Sequence, residues 1–433
     1  MKTKRAIAAR SGLDREQWDK LQALIAAVVP ANAFQSRRLN GVGLISSLAD
    51  FQARCPFTTK VEIAADQKAH PPYGTNLTFP LERYTRFHQT SGTSGSPLRW
   101  LDTSESWEAL VDNWVEVFTA SGASGRDRIY FAFSFGPFLG FWTAFAAGER
   151  LGALCIPGGG LSSAARIQAI LDNQVTLICC TPTYAIHLAE TAAKESIDLG
   201  KSPVQRIIVA GEPGGSIPAV RSRIESLWPG ARVFDHHGMT EVGPVTYECP
   251  AQPGRLHVIE SAYLAEVINP QTLLPVSAGT AGELVLTTLT RVGSPLLRYR
   301  TGDIVKPLQA PGDNSDKPCT CGRHELALEG GIIGRTDDMV VVRGVNIYPS
   351  AMDDIIRALP EIVEYQAKVF RSGALSEISV LIETAPAVNQ PIRVVRELER
   401  RLQTAFNLRI PVALAPAGTL PRFEMKAKRW VAA

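Results

Sequence analysis

The sequence predicts an α/β protein: a large N-terminal α/β domain with parallel sheets and an antiparallel, barrel-like part, then a small α+β C-terminal domain. Three observations lead there. Between about residues 128 and 215, short apolar runs alternate with stretches of helical periodicity, the rhythm of a mostly parallel sheet. After about residue 255 the runs become short alternating strands separated by turn residues, which suits an antiparallel sheet or barrel. From about Asp338 a new pattern of strand, helix, two strands and helix begins. The chain has 433 residues, more than one ordinary core holds, so at least two domains are expected.

Residues 1 to 120 read as mainly helical, with "REQWDKLQALIAAVV" carrying apolar residues at helical spacing. "RIYFAFS", "ALCIPGG", "VTLICCTP" and "RIIVAGEPGG" read as strands, and "FWTAFAAGERLG" and "SAARIQAILDNQ" as the helices between them. Ligand sites of such a sheet lie at the carboxyl ends of its strands. "LHVIESAYLAEVI", "GELVLTTL" and "LLRYRTGDIVKP" make the antiparallel part, and "GDNSDKPCTCGRHE" is a polar excursion. "MVVVRG", "SAMDDIIRAL", "YQAKVFR", "EISVLIET" and "IRVVRELERRLQTAF" form the last module. The boundary falls near Gly334 to Asp338, giving domains 1–335 and 336–433.

Bulk composition narrows the function classes. Hydrophobic content of 45% with 20% charge describes a globular chain. A net charge of +3 calls for no nucleic acid or acidic membrane partner. No signal-peptide pattern and no uninterrupted 18-residue apolar run is present, so no membrane association is expected. Seven cysteines, an odd number, point to a reducing, cytoplasmic setting.

Five short motifs carry chemistry. "TSGTSGSPLRW" (90–100) combines glycines, which let the backbone approach closely, with hydroxyls that can donate to phosphate oxygens. No lysine follows its second glycine as in GxxxxGK[ST]. "DHHGMTEVGP" (235–244) offers a hydroxyl and a carboxylate suited to a phosphate and Mg²⁺. "YRTGDIV" (299–305) sets an Asp after a Thr-Gly turn, fit to accept from ribose hydroxyls. "GRTDDMVVVRGVNIYPS" (334–350) and "LPRFEMKAKRW" (420–430) add charge at the domain boundary and near the C-terminus. Taken singly, each also reads as a surface turn, a helix cap, a linker or a solvated tail.

In this order and at these separations the five motifs resemble those of the adenylate-forming acyl-CoA synthetase superfamily, and more narrowly the phenylacetate–CoA ligase family. The likeness runs from about Arg86 to Arg429. It implies an enzyme that uses ATP with Mg²⁺ to adenylate a carboxylic acid and then passes the acyl group to CoA, releasing AMP and pyrophosphate. Ser91, Gly92, Thr93, Ser94 and Gly95 would then hold the ATP phosphates. Thr240 and Glu241 would serve the α-phosphate and Mg²⁺, and Gly211, Glu212 and Pro213 would flank the adenine with His236, His237, Gly238 and Met239. Asp303 would hold the ribose hydroxyls with Arg335 assisting. Asp337 would be the hinge of a mobile C-terminal domain, and Lys426 would reach the reacting carboxylate and α-phosphate. Arg343 and Gly344 would belong to the face presented after rotation. The family resemblance also implies a homodimer.

The chain departs from the family pattern at three places. Met425 precedes Lys426 where glycine is usual, His237 replaces an aromatic, and Leu98 stands at the position of a lysine, with Arg99 beside it. An acid pocket is expected around "FSFGPFLGF", with Phe135, Gly136, Phe138 and Tyr184, and its aromatic density suits an aryl or arylacetic acid. The same run also reads as core. Cys319 and Cys321, a C-x-C pair, can join Cys249 and His257 in a four-ligand Zn²⁺ site, with His324 a competing ligand and free thiols the other reading. Cys155, Cys179 and Cys180 read as core. Two rival functions remain: adenylation with another acceptor (an amine, a carrier-protein thiol or a cofactor), and a non-catalytic nucleotide-binding relative.

Overall fold

The computed structural model describes residues 9–90, 97–309, 317–336, 340–343, 345–372, 375–423 and 428–432. The chain groups into two compact units, residues 1–160 with 235–331, and residues 161–234 with 332–433. This grouping follows packing, whereas the expected division at 335/336 follows the order of the chain.

Among the described residues of the first unit, four α-helices and a short 3-10 turn, Leu81–Arg83, precede the first strand. Arg10–Val28 buries Leu13, Gln17, Leu21, Leu24 and Val28 along one face, and Lys60–Ala69 starts at a reciprocal capping box between Thr59 and Glu62. The helical expectation for residues 1–120 omitted a hairpin: Tyr84–Gln89 pairs antiparallel with Arg99–Thr103, so residues 91–96 connect its two strands in the chain. Thr103 then caps the helix Ser104–Ala120, whose buried face carries Trp107, Leu110, Val111, Trp114, Val117 and Phe118. Arg128–Phe131 and Leu154–Pro157 pair in parallel across the helix Leu139–Leu151, a βαβ unit closed by left-handed Gly152.

The antiparallel part is also in this unit. Thr246–Glu248, Arg255–Val258 and Ala327–Glu329 form one sheet, and Tyr263–Ile268, Gly282–Thr288 and Tyr299–Val305 lie side by side in another. The single expected strand "LHVIESAYLAEVI" is two, because a turn intervenes in which the Ala262 and Tyr263 N–H groups both donate to Ile259 O. Tyr263–Ile268 and Gly282–Thr288 are buried at every position rather than alternately. Both faces of this sheet are covered, and the period-2 signal fades accordingly.

In the second unit, Leu177–Cys180 and Arg206–Val209 pair in parallel around the helix Pro182–Lys194, and Arg232–Asp235 adds alongside after the helix Pro218–Leu227. The C-terminal sheet runs in the order Val412–Leu414, Leu375–Thr384, Ile362–Ser372, Trp430–Ala432, with an antiparallel centre and parallel flanks. The helix Pro391–Phe406 lays Val394, Leu398 and Leu402 onto the core formed with Ile378, Val380 and Ile382. A short hairpin, Val340–Val342 with Val345–Ile347, stands where one strand was expected. Among the described residues no helix is long and apolar enough to cross a membrane.

Candidate active site

Thr240 and Glu241 sit at the tip of a very small hairpin. Gly238 and Met239 pair antiparallel with Pro244 and Gly243, and the residues between them turn the chain. The closeness explains the glycines: a Cβ on Gly238 would stand 2.8 Å from Gly243 O, while Gly243 has φ +99° and abuts Leu110. Glu241 is buried, and its Oε1 lies 3.2 Å from Lys60 Nζ.

The residues before the tip are anchored to the strand Thr246–Glu248. Asp235 N donates to Glu248 Oε2 at 3.0 Å and His237 N to Thr246 Oγ1 at 3.0 Å. His236 Nδ1 lies 2.6 Å from Thr246 O, and its ring contacts Trp114 at 4.4 Å between centroids. Burial pushes the His236 pKa down to about 4, so the ring is neutral. His237 Nε2 lies 2.9 Å from Asp303 Oδ2, and Asp303 is itself buried. A carboxylate only accepts, so Nε2 carries the hydrogen; among the described residues the buried Nδ1 has no partner. His237 therefore orients the expected ribose-binding carboxylate, a role its sequence position did not reveal.

A second group of anchors went unread in the sequence. Arg291, 1% exposed, forms a two-pronged ion pair with fully buried Asp102 (Nε–Oδ1 2.6 Å, Nη2–Oδ2 2.7 Å). Its Nη1 donates to Thr240 O at 2.9 Å and Glu241 O at 2.8 Å. A charged residue inside the apolar run "VLTTLTRVGSPLL" was the available signal.

The second unit holds the remaining predicted residues by itself. Glu212 Oε1 accepts from Thr183 N at 2.8 Å, at the start of the helix Pro182–Lys194. Gly211 has φ 93°, the backbone form that the strand-end turn requires, and Pro213 is exposed. Tyr184 is buried, with its hydroxyl 2.6 Å from Arg166 Nη1 and 3.1 Å from Ser163 Oγ. Arg335 lies in the short strand Gly334–Arg335, partly buried.

Phe135, Gly136 and Phe138, in the first unit, are half-buried in an aromatic cluster. Phe133 stacks on Phe141 at 4.2 Å, Phe135 meets Trp142 and Phe145 edge-on, and Trp142 Nε1 donates to Gly136 O. Leu98 is buried, and exposed Arg99 donates to Pro72 O at 2.9 Å. Ser91, Gly92, Thr93, Ser94, Gly95, Asp337, Gly344 and Lys426 lie outside the described residues.

The four predicted metal ligands converge. The ligand atoms of Cys249, His257, Cys319 and Cys321 all lie within 4.8 Å of one another, and His324 is not among them. Cys249 Sγ is 3.7 Å from Cys319 Sγ, and Cys321 Sγ is 3.5 Å from His257 Nε2. Those are the ligand–ligand separations of a tetrahedron with metal–ligand bonds of about 2.0–2.3 Å. His257 Nδ1 lies 3.3 Å from Glu325 O, which assigns it the hydrogen and leaves the Nε2 lone pair toward the thiols. Burial lowers the His257 pKa to about 4, keeping the ring in the ligating form. Burial opposes ionisation of Cys319, but the Cys321 N–H and Arg255 outweigh it and lower the thiol to about 7.

With this geometry in place, the likenesses of the chain are informative. Residues 87–290 match the AMP-binding enzyme family and residues 344–432 the AMP-binding enzyme C-terminal domain. A phenylacetate-coenzyme A ligase of Thermus thermophilus is 30% identical over 96% of this chain and 95% of its own length. That of Escherichia coli is 32% identical, covering 86% and 83%. A crystal structure of 2-hydroxyisobutyryl-CoA ligase in its postadenylation state superposes with a TM-score of 0.91 at 27% identity, over 99% of this chain and 91% of that one. Near-complete coverage in both directions, together with the motifs placed above, settles the affiliation: the chain belongs to the phenylacetate–CoA ligase family of AMP-binding enzymes.

Proposed function

We propose that the protein is an ATP-dependent acid–thiol ligase acting on an aryl or arylacetic acid. The observation that carries this is the Thr240–Glu241 hairpin tip set beside the His237–Asp303 pair, in a chain of this family. A carboxylate oxygen of the acid attacks the ATP α-phosphorus, forming the acyl-adenylate and expelling pyrophosphate. The CoA thiolate then attacks the acyl carbonyl, the thioester forms and AMP leaves. Adenylation makes AMP the leaving group in place of an oxide, and this is why two steps succeed where one would not.

The residues take roles that follow from their chemistry. Asp303, oriented by His237, accepts from the ribose hydroxyls with Arg335 assisting. The backbone around Gly211, Glu212 and Pro213 and around His236, Gly238 and Met239 flanks the adenine. Thr240 donates to the α-phosphate, and residues 91–95 hold the other phosphates. The buried Glu241 carboxylate, already drawn to one cation at Lys60, suits Mg²⁺, which neutralises phosphate charge when bound. Lys426 offsets the charge gathering on the α-phosphate during in-line attack. Domain 336–433 turns about Asp337 between the two steps, so that one site serves both, and Arg343 then faces the thiol. Phe135 and Phe138 line the acid pocket with Gly136.

Cys249, His257, Cys319 and Cys321 would hold a structural Zn²⁺, which would tie the loop bearing the C-x-C pair to His257 in the strand Arg255–Val258 and to Cys249 just after the strand Thr246–Glu248. The functional assembly is a cytoplasmic homodimer. The test is pyrophosphate exchange over a panel of aryl acids, with and without CoA. Acid-dependent exchange with thioester appearing only when CoA is added is expected; exchange with no thioester assigns another acceptor. Acid-dependent AMP release undiminished in Lys426→Ala removes that lysine from the chemistry.

A further inference from the structure

We infer that Arg291, anchored by Asp102, is a positioning residue for adenylation: it fixes the Thr240–Glu241 tip in the conformation that receives Mg²⁺-bound ATP. This rests on the proposed ligase reading and deepens it.

The argument starts from peptide geometry. The carbonyl of Thr240 lies in the plane of the peptide joining residues 240 and 241, and that of Glu241 in the next plane. Peptide units are rigid, so holding two successive carbonyls fixes φ and ψ of the residue between them. Arg291 holds both through Nη1, at 2.9 and 2.8 Å. The backbone of Glu241, and with it the origin of its carboxylate and of the Thr240 hydroxyl, is thereby fixed. Four of the five guanidinium N–H groups are engaged, two on the tip and two on Asp102.

The anchor is equally specific. Burial opposes ionisation of Asp102, but the Arg291 charge outweighs it and holds the carboxyl below its ordinary pKa, so the pair stays ionic. His88 Nδ1 lies 3.8 Å from Asp102 Oδ2, and the Arg291 guanidinium stands 5.5 Å from the centre of the Trp100 ring. Asp102 pairs with Arg86 in the hairpin Tyr84–Gln89/Arg99–Thr103. The pairing continues one step beyond Gln89 and Arg99, where Thr90 N donates to Leu98 O and Leu98 N to Thr90 Oγ1. The chain between those residues is the Ser/Thr/Gly segment assigned to the ATP phosphates. One buried ion pair thus joins the strand leaving the phosphate segment to the tip bearing the α-phosphate and Mg²⁺ groups. Neither Arg291 nor Asp102 is needed to touch substrate for this.

The test separates positioning from support of the fold. Replacing a buried ion pair by apolar side chains of similar size is often neutral for stability, so the double variant Arg291→Met with Asp102→Leu keeps the packing and loses the fork. Four readouts are taken for it and the wild type: thermal midpoint, Mg²⁺ dependence of ATP binding by calorimetry, pyrophosphate exchange with phenylacetate, and CoA-dependent turnover of supplied phenylacetyl-adenylate. Expected are a near-wild-type midpoint, a rise of about tenfold in the Mg²⁺ needed for half-maximal ATP binding, and a fall of about 100-fold in exchange. Turnover of the supplied adenylate should fall by less than about threefold, because the adenylation step is bypassed. Unchanged Mg²⁺ dependence, or equal losses in both half-reactions, overturns the inference. Arg291→Lys, which keeps the charge without the fork, is read identically and decides where the double variant does not fold. A wild type that binds ATP with Mg²⁺ but exchanges no pyrophosphate with any aryl acid defeats the ligase reading instead, and the ATP-binding readout still judges the positioning role.

Discussion

His236 should make the protein sensitive to mild acid, and the size of the effect follows from its surroundings. The ring is 5% exposed, packed against Trp114, with Nδ1 committed to the Thr246 carbonyl. Burial lowers its pKa from 6.5 to about 4. The unfolded chain therefore binds a proton through a window in which the folded chain does not. The folded pKa is depressed, so the stabilisation is complete above pH 6.5 and is lost as pH falls toward 4. With those two values the loss is about 0.2 kcal/mol at pH 7 and about 2 kcal/mol at pH 5, levelling near about 3 kcal/mol below pH 4. The assay is thermal unfolding of the wild type and His236→Gln at steps from pH 7.5 to 4.5. Glutamine cannot take up the proton, and its amide can still donate to Thr246 O. Other groups, including His257 with its own pKa of about 4, cancel in the difference between the two proteins. The wild-type advantage should shrink by about 2 kcal/mol between pH 7 and pH 5. Parallel pH profiles would refute the claim that this imidazole is buried neutral.

Three further outcomes follow from the same region. His237→Phe keeps an aromatic ring and removes the 2.9 Å contact to Asp303; the KM for ATP should rise about tenfold in steady-state kinetics, the worth of one hydrogen bond to a charged group, and an unchanged KM would show that Asp303 needs no such partner. Gly243→Ala places a methyl 2.3 Å from Leu110 Cδ2 at φ +99° and should cost about 3 kcal/mol of stability, seen as a lowered thermal midpoint; an unshifted midpoint contradicts the packing described. Chelation should remove about one zinc per chain, by metal analysis, and speed hydrogen exchange at the amides of Asp235 and His237, which bond to the strand ending beside Cys249; metal-free protein as purified, or exchange indifferent to chelation, would contradict a structural centre.

Much of the fold was legible because its signals are local. The alternation of "RIYFAFS", "ALCIPGG", "VTLICCTP" and their helices states a parallel sheet in the period of the apolar residues, and the structure has Arg128–Phe131, Leu154–Pro157 and Leu177–Cys180 there. The hairpin at Tyr84–Thr103 was missed because its strands are short and mixed in polarity, with Arg86, His88, Arg99 and Asp102 among the apolar residues. Within the site, the Thr-Glu pair, Asp303 and the Cys/His cluster were readable as residue types suited to phosphate, ribose and metal. The bonds that orient them were not. His237 reaches Asp303 across 66 positions and Arg291 reaches Asp102 across 189. No spacing rule links residues so far apart. Asp102 in a mixed hairpin looks unremarkable, and the charge of Arg291 in an apolar run names no partner until folding brings the two together.

That distinction between groups that do chemistry and groups that hold them explains how the Thr240–Glu241 tip can be small and still well defined. Two strands of two residues each cannot fix a turn by their own hydrogen bonds. The remaining constraint comes from outside it. Thr246 holds His236 and His237 on the chain entering the tip, Arg291 holds the two carbonyls within it, and Tyr263 Oη donates to Val242 O on the chain leaving it. Asn113 Nδ2 approaches the same tyrosine oxygen at 3.4 Å, and Trp114, next to it on the helix Ser104–Ala120, packs on His236. Entry, tip and exit are therefore held by buried polar partners, and desolvated bonds of that kind are costly to break singly. With the roles proposed for Thr240 and Glu241, a tip built this way would meet ATP already ordered, and little of the binding energy would be spent on arranging its carboxylate and hydroxyl.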